Sequence, residues 1–386
     1  MRVLHIITRM IIGGAQENTL YNCIDLVEQH GDDVLLATGP TLGREGKLLT
    51  EGRAGGLNVI EVPSLQRAIH PPRDRAAYRE LTKVIKDYKP DVVHTHSAKG
   101  GFIGRSAAWK QNVPAVIHSV HGAPFHPYQN PLSRQLFIML ERWAAKRCHR
   151  MICVADAMTD LMVAANVAPR EKFTTICSGM DVAPFQNCGA FRDDARQELG
   201  FDNDDIVFGK IARLFNLKGH EYLVDAAAKV VAENPKCRFL LVGDGILREE
   251  LEQRIAKHGL EGHFTFTGLV PPERIPYYLS SMDCLVHTSL REGLARTLPQ
   301  ALISGRPVIS YDVDGAREVA IDGVTGFLLA PRAIEPLADA ILTMAADRQR
   351  REAMGQEGAK RFTQQFRHQN MTQQIRDVYQ QILNNS

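Results

Sequence analysis

Short apolar runs alternate with helical stretches along most of this chain, and this alternation restricts its possible folds more than any other feature. In the first half the runs are 3–7, 34–37, 59–62, 92–94, 115–119, 151–154 and 174–176. A polar stretch at 181–205 interrupts the pattern, which restarts with 206–212, 238–242, 264–267, 284–287, 307–310 and 326–329. Such alternation predicts mostly parallel sheets with helices packed on them. We therefore predict an α/β protein with two Rossmann-like domains whose parallel sheets face a central cleft.

The polar stretch sets the predicted domain boundaries. We assign 1–183 to an N-terminal domain, 184–205 to a linker with a short helix, and 206–365 to a C-terminal domain. Residues 366–386 are predicted to form a C-terminal helix, and its packing back on the N-terminal domain is left open. A length of 386 residues is ample for two domains with separate cores.

The composition is that of an ordinary globular protein. Hydrophobic residues make up 44% and charged residues 23%, and the net charge of +2 shows no clustered excess that would indicate nucleic-acid binding. The seven cysteines are dispersed without a Cys-x-x-Cys pair, which indicates reduced thiols in a cytoplasmic protein. The N-terminus lacks a signal-peptide pattern, and no apolar run has the length of a membrane span. We expect a cytoplasmic chain that is at most peripheral to the inner face of a membrane.

Two cations stand between the run 206–212 and the helix that follows it. Arg213 comes directly after the run, and Lys218-Gly219 opens the helix. Cationic side chains and a helix N-terminus both neutralise phosphate oxygens, so the segment is a candidate diphosphate site. A solvated loop with ordinary basic residues is the alternative reading of the segment taken alone.

A second loop follows the run 284–287. Gly293 permits close backbone approach, and the amides of Gly293, Leu294 and Ala295 can point at a phosphate. Glu292 can then hydrogen-bond the hydroxyls of a sugar. Gln300 lies eight residues further on, in the next helix, so both side chains can reach one ligand.

These segments, taken in order, resemble family 4 of the retaining glycosyltransferases, also known as group 1, which have the two-domain GT-B fold. The matching segments are Gly13-Gly14-Ala15-Gln16, His118 to Gly122, Arg213 with Lys218-Gly219, Val242 to Gly245, Phe266 to Gly268, Glu292-Gly293 with Gln300-Ala301, and Gly305 to Val308. Each is weak alone, but their order and spacing are specific and span nearly the whole chain.

The resemblance implies an activity. It implies transfer of a hexose or N-acetylhexosamine from a nucleoside-diphosphate sugar to a hydroxyl of a saccharide or lipid-linked acceptor, in polysaccharide or glycolipid biosynthesis. UDP is the expected nucleotide because it is the commonest in the resembling group. The N-terminal domain would face the acceptor and the C-terminal domain would bind the donor. The donor is a co-substrate, and no other cofactor is expected.

Roles in the C-terminal half follow from the same resemblance. Arg213 and Lys218 would hold the donor pyrophosphate, and Glu292 would contact the transferred sugar. The family has a second Glu at the ribose, where this chain has Gln300. An amide can bond a hydroxyl but lacks the charge-assisted strength of a carboxylate. The base would face the segment from Gly268 to Pro271, which includes Val270, mostly through backbone groups.

Roles in the N-terminal half are assigned in the same way. Gly13 and Gly14 would lie where that domain approaches the sugar phosphate or the acceptor, because consecutive glycines remove side chains from a wall; a helix entry without ligand contact is the alternative. Gln16, in the same turn, is an acceptor-side candidate.

Histidines cluster after two predicted strands. His121-Gly122 matches the active-site His-Gly of the family, by the donor sugar, and His118 is the alternate candidate on the opposite face of the strand. His96 and Lys99 are read as a second, acceptor-facing wall, and His118 is also an acceptor-side candidate. A histidine metal site is the competing interpretation, but no carboxylate stands at ligand spacing and the family works without bound metal, so no metal is expected. Asp312-Val-Asp314 is likewise read as a loop or cap rather than a manganese site.

Double displacement needs a carboxylate nucleophile and inversion needs a general base, and no N-terminal Asp or Glu stands in a matching motif for either role. The resemblance implies retention through a front-side path, in which the donor phosphate takes the acceptor proton. On that path His121, Glu292, Arg213 and Lys218 would supply positioning and charge stabilisation.

Residues 132–150 predict a basic amphipathic helix, and Arg67, Arg73, Arg75 and Arg79 add upstream charge. Contact with an anionic membrane and an ordinary core helix with a solvated basic face are both open.

Alternatives to transfer are a sugar-nucleotide epimerase of the same fold and an inactive sugar-nucleotide-binding protein. The oligomeric state is left open.

Overall fold

The computed structural model describes residues 1–11, 13–40 and 56–385. These residues form two compact units, described separately below with elements numbered in chain order. The N-terminal unit comprises Met1–Met180 and Gln365–Ser386, and the C-terminal unit comprises Asp181–Gln364. The predicted α/β class is confirmed, because each unit contains a sheet in which every strand pair is parallel.

Within the described part of the N-terminal unit, seven strands form a sheet of order β3-β2-β1-β4-β5-β6-β7. The strands are β1 (Arg2–Ile7), β2 (Asp33–Thr38), β3 (Asn58–Glu61), β4 (Val92–His96), β5 (Ala115–Val120), β6 (Arg150–Cys153) and β7 (Phe173–Thr175). The helices are α1 (Gly14–Glu28), α2 (Pro71–Tyr88), α3 (Ala98–Lys110), α4 (Pro131–Ala145), α5 (Asp156–Ala164) and α14 (His368–Asn384). The central strands β4 and β5 are buried along their whole length, as expected for a parallel sheet covered on both faces.

Helix α14 completes the core of the N-terminal unit. Its residues Ile375 and Tyr379 are buried among side chains of β1 and α1. The buried carboxylate of Asp25 on α1 accepts hydrogen bonds from His368 Nδ1 at 2.8 Å and Thr372 Oγ1 at 2.9 Å. The chain leaves this unit at Met180 and returns beside it, since the two stretches are joined by backbone hydrogen bonds.

Within the C-terminal unit, six strands form a sheet of order β10-β9-β8-β11-β12-β13 in the described residues. The strands are β8 (Ile206–Ile211), β9 (Cys237–Val242), β10 (Phe264–Gly268), β11 (Cys284–His287), β12 (Val308–Tyr311) and β13 (Gly326–Leu329). The helices are α6 (Ala183–Gln186), α7 (Arg192–Leu199), α8 (His220–Glu233), α9 (Arg248–Lys257), α10 (Ile275–Ser281), α11 (Thr297–Ile303), α12 (Ile334–Ala346) and α13 (Arg348–Phe362).

The segment 184–205 differs from its prediction as a linker. It packs on the C-terminal unit, where Arg192 and Arg196 of α7 both bind the carboxylate of Asp283, at 2.6 and 3.1 Å. Its polar composition predicted a linker, but the arginine–carboxylate pairs are charge-assisted hydrogen bonds that anchor a polar segment. The segment is therefore part of the C-terminal unit.

Both sheets reverse their strand order at one point, between β1 and β4 and between β8 and β11. Ligands of open α/β sheets bind outside the carboxyl ends of the strands at such a point. The turns β1–α1, β4–α3, β8–α8 and β11–α11 follow these strands, and most of the predicted site residues lie in or directly beside those turns.

Candidate active site

The β8–α8 turn and the end of β11 approach each other closely. Gly219 begins α8 with φ 65°, a left-handed conformation that favours glycine. A Cβ at Gly219 would come within 2.0 Å of the carbonyl oxygen of Thr288, and the Thr288 hydroxyl donates to the Gly219 carbonyl at 2.5 Å. This contact brings Lys218 next to the loop that follows β11.

Lys218 and Glu292 form an ion pair at this point. Lys218 Nζ lies 2.5 Å from Glu292 Oε1, and His287 Nε2 lies 3.6 Å from the same oxygen. Burial alone would raise the pKa of Glu292, but the Lys218 cation and His287 outweigh it and hold the pKa below its usual range. The carboxylate therefore stays ionised and acts only as an acceptor, which suits the hydroxyls of a sugar.

The loop after Glu292 presents backbone donors. No described residue accepts a hydrogen bond from the amides of Gly293, Leu294 or Ala295. The loop is held by a bond from Gly315 N to Gly293 O at 3.1 Å and by one from Glu292 N to Asp314 Oδ2 at 2.6 Å. Successive amides in a fixed loop form a concavity suited to an anion.

Asp312 and Asp314, the two acids of the Asp-x-Asp string, have different partners. Asp314 accepts from the Glu292 amide, and burial raises the pKa of its carboxyl. Asp312 pairs with Arg317 at 2.5 Å. Each carboxylate thus closes a local loop contact, in agreement with the cap interpretation.

Gln300 lies on α11 and is half-buried. Its side-chain amide makes no hydrogen bond to any residue that the structure describes.

Gly268 ends β10 with φ 71° and accepts from Gly243 N at 3.1 Å, and Val270 is half-buried in the following loop. The guanidinium of Arg213 lies 5.1 Å from the ring of Phe215. These predicted donor-side residues therefore all belong to the carboxyl edge of one sheet.

Lys210, which the sequence reasoning did not select, lies beneath the ion pair. It is 1% exposed, and its Nζ donates to Thr288 Oγ1 at 2.9 Å. Burial is the main cause that lowers the pKa of Lys210 to about 7. A lysine within the apolar run of β8 was the available signal, because lysine is almost never fully buried without a partner.

In the N-terminal unit, Gly13 and Gly14 lie at the start of α1. A Cβ on Gly13 would approach Gln16 Oε1 to 2.6 Å, and Gln16 Nε2 donates to the Arg9 carbonyl at 3.3 Å. Gln16 therefore shares the tight β1–α1 turn with both glycines.

Two of the predicted acceptor-facing histidines are internal. His96 is 0% exposed and His118 is 3% exposed. His118 Nδ1 lies 2.9 Å from Thr95 Oγ1, and the ring packs against Gly101 on α3, where an added Cβ would meet it at 2.3 Å. Both rings are better described as internal polar groups than as acceptor contacts, because their strand positions point into the core. His121 follows β5 and is half-buried.

Lys99 lies beside a cavity. Its Nζ pairs with Asp74 Oδ1 at 2.7 Å. The cavity, of about 860 Å³, lies within the N-terminal unit and has Arg9, Gln16, Arg67, Lys99 and Asp74 among its polar lining. Its apolar lining includes Ile69, Phe102, Ile103, Phe137, Leu140 and Trp143.

Helix α4 has two apolar sides. Ile138, Ala144 and Ala145 are buried in the unit. Leu132, Leu136, Met139 and Trp143 are exposed by 83%, 52%, 55% and 41%. Their spacing of four, three and four residues places them along one stripe, the α4 stripe. In the described part of the chain, no helix is both long and apolar enough to cross a bilayer.

Comparison with known proteins finds similarity over both halves of the chain. Residues 14–179 match the family model described as glycosyl transferase 4-like domain, and residues 191–361 match glycosyl transferases group 1. The chain is similar to UDP-Gal:alpha-D-GlcNAc-diphosphoundecaprenol alpha-1,3-galactosyltransferase of Escherichia coli, with 27% identity covering 90% of this chain and 89% of that protein. It is also similar to alpha-D-kanosaminyltransferase of Streptomyces kanamyceticus, with 28% identity covering 70% and 71%.

Solved structures share the fold. HepE of Anabaena in complex with UDP-glucose has a TM-score of 0.83 and 22% identity, covering 99% of this chain and all of that one. Sucrose-phosphate synthase of Thermosynechococcus elongatus has a TM-score of 0.81 and 18% identity, covering 100% and 99%. At these identities the likeness concerns the fold alone, and it extends over both units.

Proposed function

Because the chain belongs to the group 1 glycosyltransferases, with a glycosyltransferase 4-like domain in its first half, we propose that it transfers a hexose or N-acetylhexosamine from a UDP-sugar with retention. The observation that carries this proposal is the Lys218–Glu292 pair beside the amides of Gly293, Leu294 and Ala295, which bond to none of the described residues. A diphosphate suits the lysine and the amides, and sugar hydroxyls suit the ionised carboxylate.

Leaving-group stabilisation is assigned to side chains rather than to a metal. Arg213 and Lys218 neutralise the diphosphate as its charge develops, and the amides of the Glu292 loop add fixed dipoles. We propose that no divalent cation is needed. Retention follows a front-side path in which a donor phosphate oxygen accepts the proton of the attacking hydroxyl, while His121 orients the sugar. Gly268 and Val270 face the base, and Gln300 bonds the ribose.

The nucleotide is testable by thermal unfolding. A UDP-sugar at about 100 times its Kd should stabilise the folded chain by about 2.7 kcal/mol, which for a chain of 386 residues corresponds to a rise in Tm of about 3 °C. The same rise is expected with EDTA present. GDP- and ADP-sugars serve as matched controls, and Lys218→Ala should abolish the shift. A shift given by a GDP- or ADP-sugar and absent with UDP-sugars would contradict the proposed base.

For the acceptor we propose a lipid-linked saccharide. The E. coli relative is named for a diphosphoundecaprenol-linked acceptor. In this chain, the cavity of the N-terminal unit joins an apolar wall to basic groups at Arg67 and Lys99, as a lipid diphosphate would require. The α4 stripe and the basic residues of 132–150 would meet an anionic membrane surface.

Membrane contact through α4 is testable by flotation. Leu136→Glu with Met139→Glu changes two exposed side chains, so the fold should persist. Each apolar side chain contributes about 1.5–3 kcal/mol when buried, so partition onto vesicles with anionic lipid should weaken at least about tenfold. Ile246→Glu, at a residue 72% exposed in the C-terminal unit, is the matched control. If the unaltered chain does not float with these vesicles, the membrane contact is excluded.

A further inference from the structure

Three histidines of the N-terminal unit form a hydrogen-bonded series, the histidine row. His5 Nδ1 lies 3.0 Å from His96 Nε2, and His96 Nδ1 lies 3.1 Å from His121 Nε2. The ring planes of neighbouring members are nearly parallel, with interplanar angles of 14° and 22°. The row thus runs from the middle of β1, through the end of β4, to the turn that holds His121.

The two inner members are neutral. His5 and His96 are both 0% exposed. Burial lowers the pKa of His5 to about 3 and that of His96 well below its usual value, the latter with added repulsion from neighbouring rings. A neutral imidazole has one N–H and one lone pair. His96 must therefore donate to one neighbour and accept from the other, so both hydrogen bonds of the row run in the same direction.

The surroundings of His5 indicate in which direction the hydrogen bonds of the row donate. His5 Nε2 is buried and has no hydrogen-bond partner among the described residues. If His121 donated to His96 and His96 to His5, the proton of His5 would be on Nε2, as an N–H without an acceptor. If His5 donates to His96 and His96 to His121, Nε2 of His5 carries only an unused lone pair. A buried N–H without an acceptor is the rarer of the two in proteins.

We infer that the row fixes the tautomer of His121, with its proton on Nδ1 and its Nε2 accepting from His96. A second proton on His121 would point an N–H at the N–H of His96, so the row also opposes the cationic form. Resting on the proposed function, this makes His121 a neutral hydrogen-bond donor toward the sugar or phosphate, and not a general base. His5 and His96 are positioning residues.

Other titratable groups near the row have separate partners. His94 Nδ1 meets Tyr379 Oη on α14 at 2.5 Å, and His94 Nε2 meets Ser119 Oγ at 2.8 Å. His118 bonds Thr95 on the other side of β5, near the Arg105 cation, which is paired with Glu141. None of these bonds involves a nitrogen that links the row.

The row also coincides with a possible ligand cluster. Nitrogens of His5, His94 and His96 lie within 4.8 Å of one another. A metal there would take the lone pairs that the row uses. Metal content is therefore one readout of the test.

The tautomer is measurable by NMR in the full chain. With ¹⁵N-labelled histidine, the His121 signals are assigned by their loss in His121→Asn. We expect a protonated Nδ1 and an acceptor-type Nε2. His5→Leu removes the donor to His96 and should give His121 mixed tautomers. His5→Asn, whose amide can donate from near the Nδ1 position, should restore one. Ser119→Ala, a buried change outside the row, should leave His121 unchanged.

Activity supplies a separate readout. His5→Leu should lower kcat by about 10- to 100-fold, the range for losing a group that orients a functional histidine. The UDP-sugar shift in Tm should persist, and His5→Asn should recover the rate. A proton on Nε2 of His121 in the unaltered chain, or stoichiometric metal in the purified chain, would overturn the inference. Absence of transfer with a normal NMR result would instead count against the proposed function.

Discussion

Lys218→Ala is expected to lower the rate of sugar transfer by about 10²- to 10³-fold, the usual cost of removing one preorganised charge-stabilising donor. The variant loses the cation for the leaving diphosphate and also leaves the Glu292 carboxylate without its 2.5 Å partner. Both effects act on the candidate donor site, since Lys218 lies in the β8–α8 turn and not within a strand or helix. The measurement is the initial rate of UDP release with acceptor present, with circular dichroism to verify the fold.

A second lysine-to-alanine change provides the control. Lys229 on α8 pairs with Glu335 and Asp339 at the surface of the same unit. Exposed ion pairs contribute little to stability, so Lys229→Ala should keep normal rate and fold. Near-normal turnover in Lys218→Ala would remove the assignment of the phosphate site. Loss of rate in both variants would point to general damage instead.

Lys210→Met is expected to stabilise the chain near neutral pH, with a gain that shrinks as the pH rises. Burial lowers the pKa of Lys210 from the ordinary lysine value of 10.5, which holds in the unfolded chain, to about 7 in the folded chain. Between these values the unfolded chain binds the extra proton, so the stability of the unaltered chain rises with pH. The unaltered chain therefore has a lower free energy of unfolding than the methionine variant at pH 7. This difference should decrease by about 2 to 3 kcal/mol between pH 7 and pH 9.

Urea unfolding of both proteins at the two pH values measures this difference. Groups common to both chains cancel in the comparison, so the narrowing reports on Lys210. Lys229→Met, at a surface position, should show a difference that does not change with pH. A constant difference for Lys210→Met would mean that the buried lysine keeps its proton in the folded chain.

The strands were predictable because buried parallel strands are mostly apolar. Each apolar run that predicted a strand lies in a strand of the structure, within one or two residues at its ends. The position of the candidate donor-side residues at one sheet edge was also predictable, since each follows the end of a strand. Their role at a phosphate or a sugar stays a prediction.

Other features depend on which distant surfaces meet. The anchoring of 184–205 rests on Asp283, some ninety residues away from Arg192. The burial of His96 and His118 depends on α3 and on neighbouring strands. The sequence pattern of a histidine cluster is the same whether the side chains are buried or exposed. His5 was not predicted to be a functional residue because a single histidine in an apolar run forms no motif.

The return of the chain to the N-terminal unit has a consequence for biosynthesis. Tyr379 bonds His94 at the centre of that unit, and α14 fills one side of its core. The ribosome synthesises both sheets before it reaches these residues. The C-terminal unit, contiguous from 181 to 364, has all its parts earlier. We expect it to fold first, while the N-terminal sheet remains open on one side until residues 365–385 have emerged from the ribosome.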